Sequence, residues 1–374
     1  MYDHFKPFRY TCDNFSVLDC IPDEAEQKQR YISMLSKNLS YSTHISEYML
    51  PEVSKIIKNV GKKLVPDLTL DAFVFNCPEI QAFSFGGTSS SLIIGLSAPI
   101  VEICSESELQ FVVGHEIGHF IFSHFLYPQP ETARTQIEKL NILALYWSAD
   151  ISADRIGFLA SNSKEDSYRA IMKIATGLSD KHLRYDYQAF INQAKMLAHL
   201  GGSEVNMLLQ HPPCSVRLKA LMWLEMSDVY HKHLNQPNNA IITAKQMNDK
   251  IENEMQAVNG FKLATMNESE ISNAFRWGVV ALFISDGRLT KSEQSVLRET
   301  FGKSTAKKIL SLLKSKGKDY ILTKMRNALN NVKYLPNDKK RELFDELNRF
   351  ASLSSGLENN LINEINKTLC LTSA

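Results

Sequence analysis

His115, Glu116 and His119 fall in the run Gly114-His115-Glu116-Ile117-Gly118-His119, a spacing suited to holding a metal ion. On an α-helix, positions i and i+4 lie about 40° apart around the axis, so both imidazoles project from one face. From there they can share one zinc ion at roughly 2.0–2.1 Å. Glu116 stands one residue round from His115, where it can flank the ion without binding it and take a proton from a water. Bound zinc brings the pKa of such a water to about 7, which gives a hydrolytic nucleophile at neutral pH. Two histidines and a glutamate on an otherwise apolar helix are costly without a shared purpose.

A catalytic zinc wants a third protein ligand and one open position. Asp150 and Asp154 are four residues apart in Asp150-Ile151-Ser152-Ala153-Asp154, embedded among Trp147, Ile151 and Ile156. One can bind zinc while the other holds a histidine ring through its second nitrogen. The bland alternative is a pair of solvated helix-surface carboxylates. His124 lies five residues after His119, about 140° round a continuing helix, and is read as a structural or rim histidine.

The elements that must position these residues are partly legible. Helices are expected over Asp23–Ser36 and Ile45–Lys63, then short strands over Leu68–Asn76, Gln81–Phe85 and Ser91–Leu96 around a Gly86-Gly87 turn. Ser105 and Glu108 form a capping-box pattern opening a helix expected to run through Leu109–Phe125 and end before Pro128. Further helices are expected over Thr135–Ala160, Tyr168–Thr176, Gln188–Leu200 and Ser215–His233. Asn235–Asn239 is a polar break, Ala240–Val258 a helical connector, and Gly260–Ala374 almost wholly helical in pattern. The division is therefore 1–235, 236–258 and 259–374.

Three ordered blocks, ESELQFVVGHEIGHFIFSH (Glu106–His124), SADISADRIG (Ser148–Gly157) and QHPPCSVRLKAL (Gln210–Leu221), resemble the HtpX and CAAX-prenyl-protease-type zinc peptidases, a gluzincin family. The resemblance covers roughly residues 40–230. It implies an α+β fold: a mainly helical zincin-type metallopeptidase domain with a small β-sheet, followed here by an all-α C-terminal domain. It also implies that the third ligand is the glutamate of an E-x-x-A-D motif, matched by Asp150, with Asp154 behind a histidine ring. Asp150 is one methylene shorter than that glutamate, so its helix must approach the histidines more closely. Gln81-Ala82-Phe83 matches an Asn-Ala-Phe strand beside the family's cleft, an edge that can bind extended peptide by strand addition. His211 and Arg217 match an H-P-x-x-x-x-R block. Either could donate to an oxyanion; His211 could instead occupy the open zinc position, or both could simply anchor a loop.

Bulk properties set the frame. The chain has 374 residues, 44% hydrophobic and 22% charged, enough for two globular domains. A formal net charge of +1 gives no global attraction to nucleic acid. Neither a signal-peptide core nor a run of about 18 apolar residues is present, so a cytoplasmic chain without a transmembrane segment is expected. Cys12, Cys20, Cys77, Cys104, Cys214 and Cys370 form no C-x-x-C pair and are expected as reduced thiols. Cys12 is read as a small buried hydrophobe rather than a thiolate cap on the metal.

Ser285-Asp286-Gly287-Arg288-Leu289-Thr290 followed by Glu293 resembles the interhelical turn of TerB-like domains, which implies an all-helical regulatory or interaction module able to recruit a protein partner. An EF-hand is disfavoured because Leu282 and Ile284 would occupy ligand positions. Lys303, Lys307, Lys308, Lys314, Lys316 and Lys318 read as a solvated basic face. The expected function is a zinc-dependent endopeptidase carrying one catalytic Zn2+ and acting on peptide or protein. The competing reading is a degenerate, zinc-stabilised interaction protein.

Overall fold

The computed structural model describes residues 2–10, 24–87, 90–132, 136–199, 211–259, 263–333, 335, 337–354 and 359–369. Cys12, Cys20, Cys370 and Gln210 lie outside them. The architecture is α+β and mostly helical. Two compact units divide it: the described residues of Met1–Asp13, Cys20–Tyr127 and Leu145–Gly260, and those of Pro128–Ala144 and Phe261–Ala374.

The first unit contains α1 (Glu24–Tyr41), β1 (Thr43–His44), α2 (Pro51–Leu64), β2 (Thr69–Phe75), β3 (Ala82–Gly86) and β4 (Ser91–Ser97). Next come α3 (Ala98–Ile103), α4 (Glu106–Ile121) and the long helix α5 (Gln136–Ala160), whose first residues group with the second unit. It continues with α6 (Lys164–Thr176), α7 (Tyr187–His199), α8 (Cys214–Glu225), α9 (Asp228–His233) and α10 (Ala244–Asn259). Pro51 sets the start of α2, later than the apolar pattern suggests, because Ile45 instead gives its N–H to the Ala72 carbonyl at the sheet edge. A single helix expected over Ser215–His233 breaks where Ser227 caps α9 and bridges to Ile242.

Among the described residues the sheet has the order β1-β2-β4-β3, with β2 and β4 parallel and the other neighbours antiparallel. Leu92, Ile93, Ile94 and Leu96 of β4 are fully buried, the continuous apolar run expected of a strand covered on both faces. Gly95 is required there: a Cβ would stand 2.1 Å from the ring of Phe83, its partner on β3. Among the described residues β1 and β3 are the two end strands.

Helix α4 begins in the expected capping box, with Ser105 N–H donating to Glu108 Oε2 at 2.7 Å and Glu108 N–H to Ser105 Oγ at 3.3 Å. Glu108 is itself buried and takes a bond from the Lys173 ammonium at 2.7 Å, which also reaches the Ile103 carbonyl at 2.8 Å. The pair ties the start of α4 to α6.

Two features of the first unit were not anticipated. Residues Asp3–Phe8 form a 3-10 helix that places Phe5, Phe8 and Tyr10 in the core. The segment expected to be a connector contributes Met247, Ile251 and Val258, all fully buried, to the same core.

The second unit contains α11 (Leu263–Phe283), α12 (Lys291–Phe301), α13 (Lys303–Val332), α14 (Asn337–Ala351) and α15 (Asn359–Thr368). Its core gathers Val280, Leu297, Ile321, Leu329, Leu347 and Ile365. Gly287 has φ 83 in the turn before α12, Arg288 N–H bonds Asp286 Oδ1 at 2.9 Å, and Thr290 with Glu293 completes a second capping box. Gly317, at φ 78, breaks α13 within the lysine-rich stretch.

Candidate metal centre

Helices α4 and α5 lie against each other along a seam of small residues. A Cβ at Gly114 would stand 2.3 Å from Ala160 Cβ, one at Gly118 would be 2.9 Å from Ala153 Cα, and one at Gly157 would be 2.7 Å from the Phe111 carbonyl. That contact brings Asp150 on α5 across from His115 and His119 on α4. The two Nε2 atoms are 3.0 Å apart, and Asp150 Oδ1 lies 3.9 Å from that of His115 and 3.5 Å from that of His119.

All three ligand atoms fall within 4.8 Å of one another. A tetrahedral zinc with bonds near 2.05 Å keeps its donor atoms roughly 3.3 Å apart, so the cluster fits zinc with little adjustment. Two imidazoles and one carboxylate are also donors that zinc prefers in sites keeping a position open.

Each ring is oriented from behind. His115 Nδ1 lies 2.9 Å from Asp154 Oδ1, and the same carboxylate accepts two bonds from Arg217, Nε to Oδ2 at 2.8 Å and Nη2 to Oδ1 at 2.6 Å. Asp154 and Arg217 are both buried. His119 Nδ1 lies 2.9 Å from His124 Nδ1. His211 Nδ1 contacts the second oxygen of Asp150, Oδ2, at 2.7 Å, while most of its side chain stays exposed.

Electrostatics follow from these contacts. Burial alone would raise the Asp150 pKa, but the charge of His211, hydrogen bonds from His119 and His211, and the charge of Arg217 hold it well below the ordinary carboxylate value. Asp154 is lowered against the same opposing burial by the charge and bonds of Arg217 and by His115. The Asp150 charge raises His211 in turn. Both aspartates are thus anionic, as a zinc ligand and a ring acceptor need to be.

Glu116 sits on α4 beside His115 and is 5% exposed. Among the described residues its carboxylate has no hydrogen-bonding or ionic partner.

The sequence-derived candidates His115, His119, Asp150, Asp154, His211 and Arg217 are therefore joined in one network of contacts, with Glu116 next to His115 on α4. Arg217, a candidate oxyanion donor on sequence, is committed to Asp154. His124 departs most from expectation: α4 stops at Ile121, Ser123 takes left-handed geometry (φ 57, ψ 34), and His124 returns to His119. No glycine or proline marks that stop. Gln81 precedes β3, exchanging bonds with Ser97 (Gln81 N–H to Oγ 3.1 Å, Ser97 N–H to the Gln81 carbonyl 3.0 Å). Ala82 and Phe83 pair with Leu96 and Gly95, and β3 packs beside α4.

Residues 50–151 match peptidase family M48. Over that stretch the chain is similar to M48 peptidases. The M48 match includes His115, Glu116, His119 and Asp150 and stops before Asp154, His211 and Arg217. Over 179 residues, 43% of this chain and 51% of the relative, the sequence is 24% identical to plastoglobule-localized metallopeptidase 48, chloroplastic, of Arabidopsis thaliana. Over 67 residues, 18% of this chain and 21% of the relative, it is 31% identical to protease HtpX homolog 1 of Sulfurisphaera tokodaii. The chain thus spans about half the length of the first M48 relative and a fifth of the second. No solved structure matches. Among the described residues no helix is long and apolar enough to cross a membrane.

Proposed function

We propose that the chain is a zinc-dependent endopeptidase, with His115, His119 and Asp150 holding one zinc ion and Glu116 acting as general base. The observation that carries this reading is the convergence of His115 Nε2, His119 Nε2 and Asp150 Oδ1 within 4.8 Å, beside an unpaired carboxylate at Glu116. Zinc bound there supplies Lewis acidity toward a water and the scissile carbonyl.

The chain's own residues supply the rest. Glu116 takes the proton of the attacking water and passes it to the leaving amine nitrogen. Asp154, locked by Arg217, keeps the His115 ring aimed inward. With Nδ1 engaged by Asp150 and most of its side chain exposed, His211 donates through its other nitrogen to the developing oxyanion. Substrate lies extended along β3, pairing with main-chain groups of Gln81, Ala82 and Phe83. The all-helical C-terminal part restricts access or recruits a protein partner.

The test is cleavage of a quenched peptide library by wild type and Glu116→Gln, each with measured zinc content. Wild type is expected to cleave, to lose activity with a chelator and to regain it with zinc. Glu116→Gln is expected to keep its zinc and lose about 10²–10⁴-fold in rate. A zinc-loaded wild type that cleaves nothing leaves the zinc-stabilised interaction protein as the better reading.

A further inference from the structure

The two histidine ligands are braced differently. His115 is held by a carboxylate, whereas His119 is held by a second imidazole, with Nδ1 to Nδ1 at 2.9 Å and ring centroids 5.0 Å apart. We infer that His124 is the positioning residue for His119, accepting its Nδ1–H bond while carrying its own proton on Nε2.

The assignment follows from proton counting. His119 turns Nε2 toward His115 Nε2 and Asp150 Oδ1; in the zinc-loaded site that nitrogen would give its lone pair to the metal, which leaves the ring proton on Nδ1. A donor at Nδ1 needs an acceptor at 2.9 Å, and the atom there is His124 Nδ1. His124 Nδ1 is therefore bare, which fixes its tautomer.

The backbone is built to deliver this contact. Continued as an α-helix, α4 would carry His124 about 140° away from His119. Instead Ser123 occupies the left-handed region that non-glycine residues seldom enter, and a 3-10 turn over His124–Leu126 follows. His124 is 6% exposed. The Phe122 ring lies 5.6 Å away and the Tyr127 ring 5.0 Å away. Arg9 fixes that wall, donating to the Tyr127 hydroxyl at 3.0 Å and lying 5.7 Å over Phe122. A strained backbone residue enclosed this way is held by its surroundings.

The inference rests on the metal reading above, and its test separates the two. Zinc affinity is measured by chelator competition on the full chain for wild type, His124→Leu and His124→Asn, with thermal melting to confirm folding. Leucine removes the acceptor and should weaken zinc binding about 10–100-fold, the usual cost of losing a ligand's outer partner. Asparagine offers Oδ1 near the position of Nδ1 and should stay within about 5-fold of wild type. Imidazole nitrogen NMR of the zinc-loaded wild type should show His124 protonated at Nε2, which decides the matter even if the leucine variant fails to fold. Equal zinc affinity in His124→Leu and wild type overturns the inference, as does an asparagine variant as weak as leucine, or an Nδ1–H tautomer at His124. A wild type that takes up no zinc removes the metal reading and this inference together.

Discussion

Gly118 on α4 meets Ala153 on α5 backbone to backbone: a Cβ at Gly118 would lie 2.9 Å from Ala153 Cα and 3.1 Å from its carbonyl oxygen. Helices ordinarily stand 8–10 Å apart, depending on the side chains between them. Here the side chains are missing or small, and the short Asp150 comes within 3.9 Å of His115 and 3.5 Å of His119. Gly118→Ala should therefore cost about 1–3 kcal/mol in a denaturant titration and weaken zinc binding measured on the same sample. Asp150→Glu adds a methylene to a gap already closed and should also bind zinc more weakly than wild type. Tighter binding by the glutamate variant would show that the seam is not matched to aspartate.

The Arg217–Asp154 pair gives a second prediction. Both groups are buried and joined by two bonds, so Arg217→Met strands a carboxylate without its counter-charge. Destabilisation of about 3–5 kcal/mol is expected. Adding Asp154→Asn to that variant should recover part of the loss, because the stranded charge disappears. Strict additivity in the double-mutant cycle would contradict a direct pair.

The N-terminal arm braces the ligand helices. Tyr10 N–H donates to Ser152 Oγ at 2.9 Å, and Arg155 donates to the Phe8 carbonyl at 3.3 Å. Removing residues 1–10 withdraws three buried aromatics worth about 1.5–3 kcal/mol each. The truncated chain should melt well below the full chain and bind zinc less tightly. An unchanged melting temperature would count against the arm as part of the core.

Much of this was legible in sequence where local chemistry acts alone. The Ser105–Glu108 and Thr290–Glu293 capping boxes formed as their spacing implied, and β2, β3 and β4 lie within a residue or two of the apolar runs that suggested them. His115 and His119 share one face by helical periodicity, whereas the seam of small residues that brings Asp150 across to them is a product of tertiary packing. The turn at Ser123 was not legible: serine gives no left-handed signal, and tertiary enclosure by Phe122, Tyr127 and Arg9 helps to hold it. The roles of Phe8 and Tyr10 were hidden for a related reason, since their partners are more than 140 residues away. Arg217 was ambiguous because a basic residue near a cleft can face an oxyanion or a carboxylate, and only the position of Asp154 separates the two.

Zinc-edge X-ray absorption on the zinc-loaded chain, compared with Asp150→Ala, tests the coordination sphere most directly. One zinc per chain is expected, with two imidazole nitrogens at about 2.0–2.1 Å and oxygen completing a four-coordinate shell, and a weaker, altered signal when Asp150 is removed. An unchanged spectrum in Asp150→Ala, or a shell with three imidazoles, would contradict it.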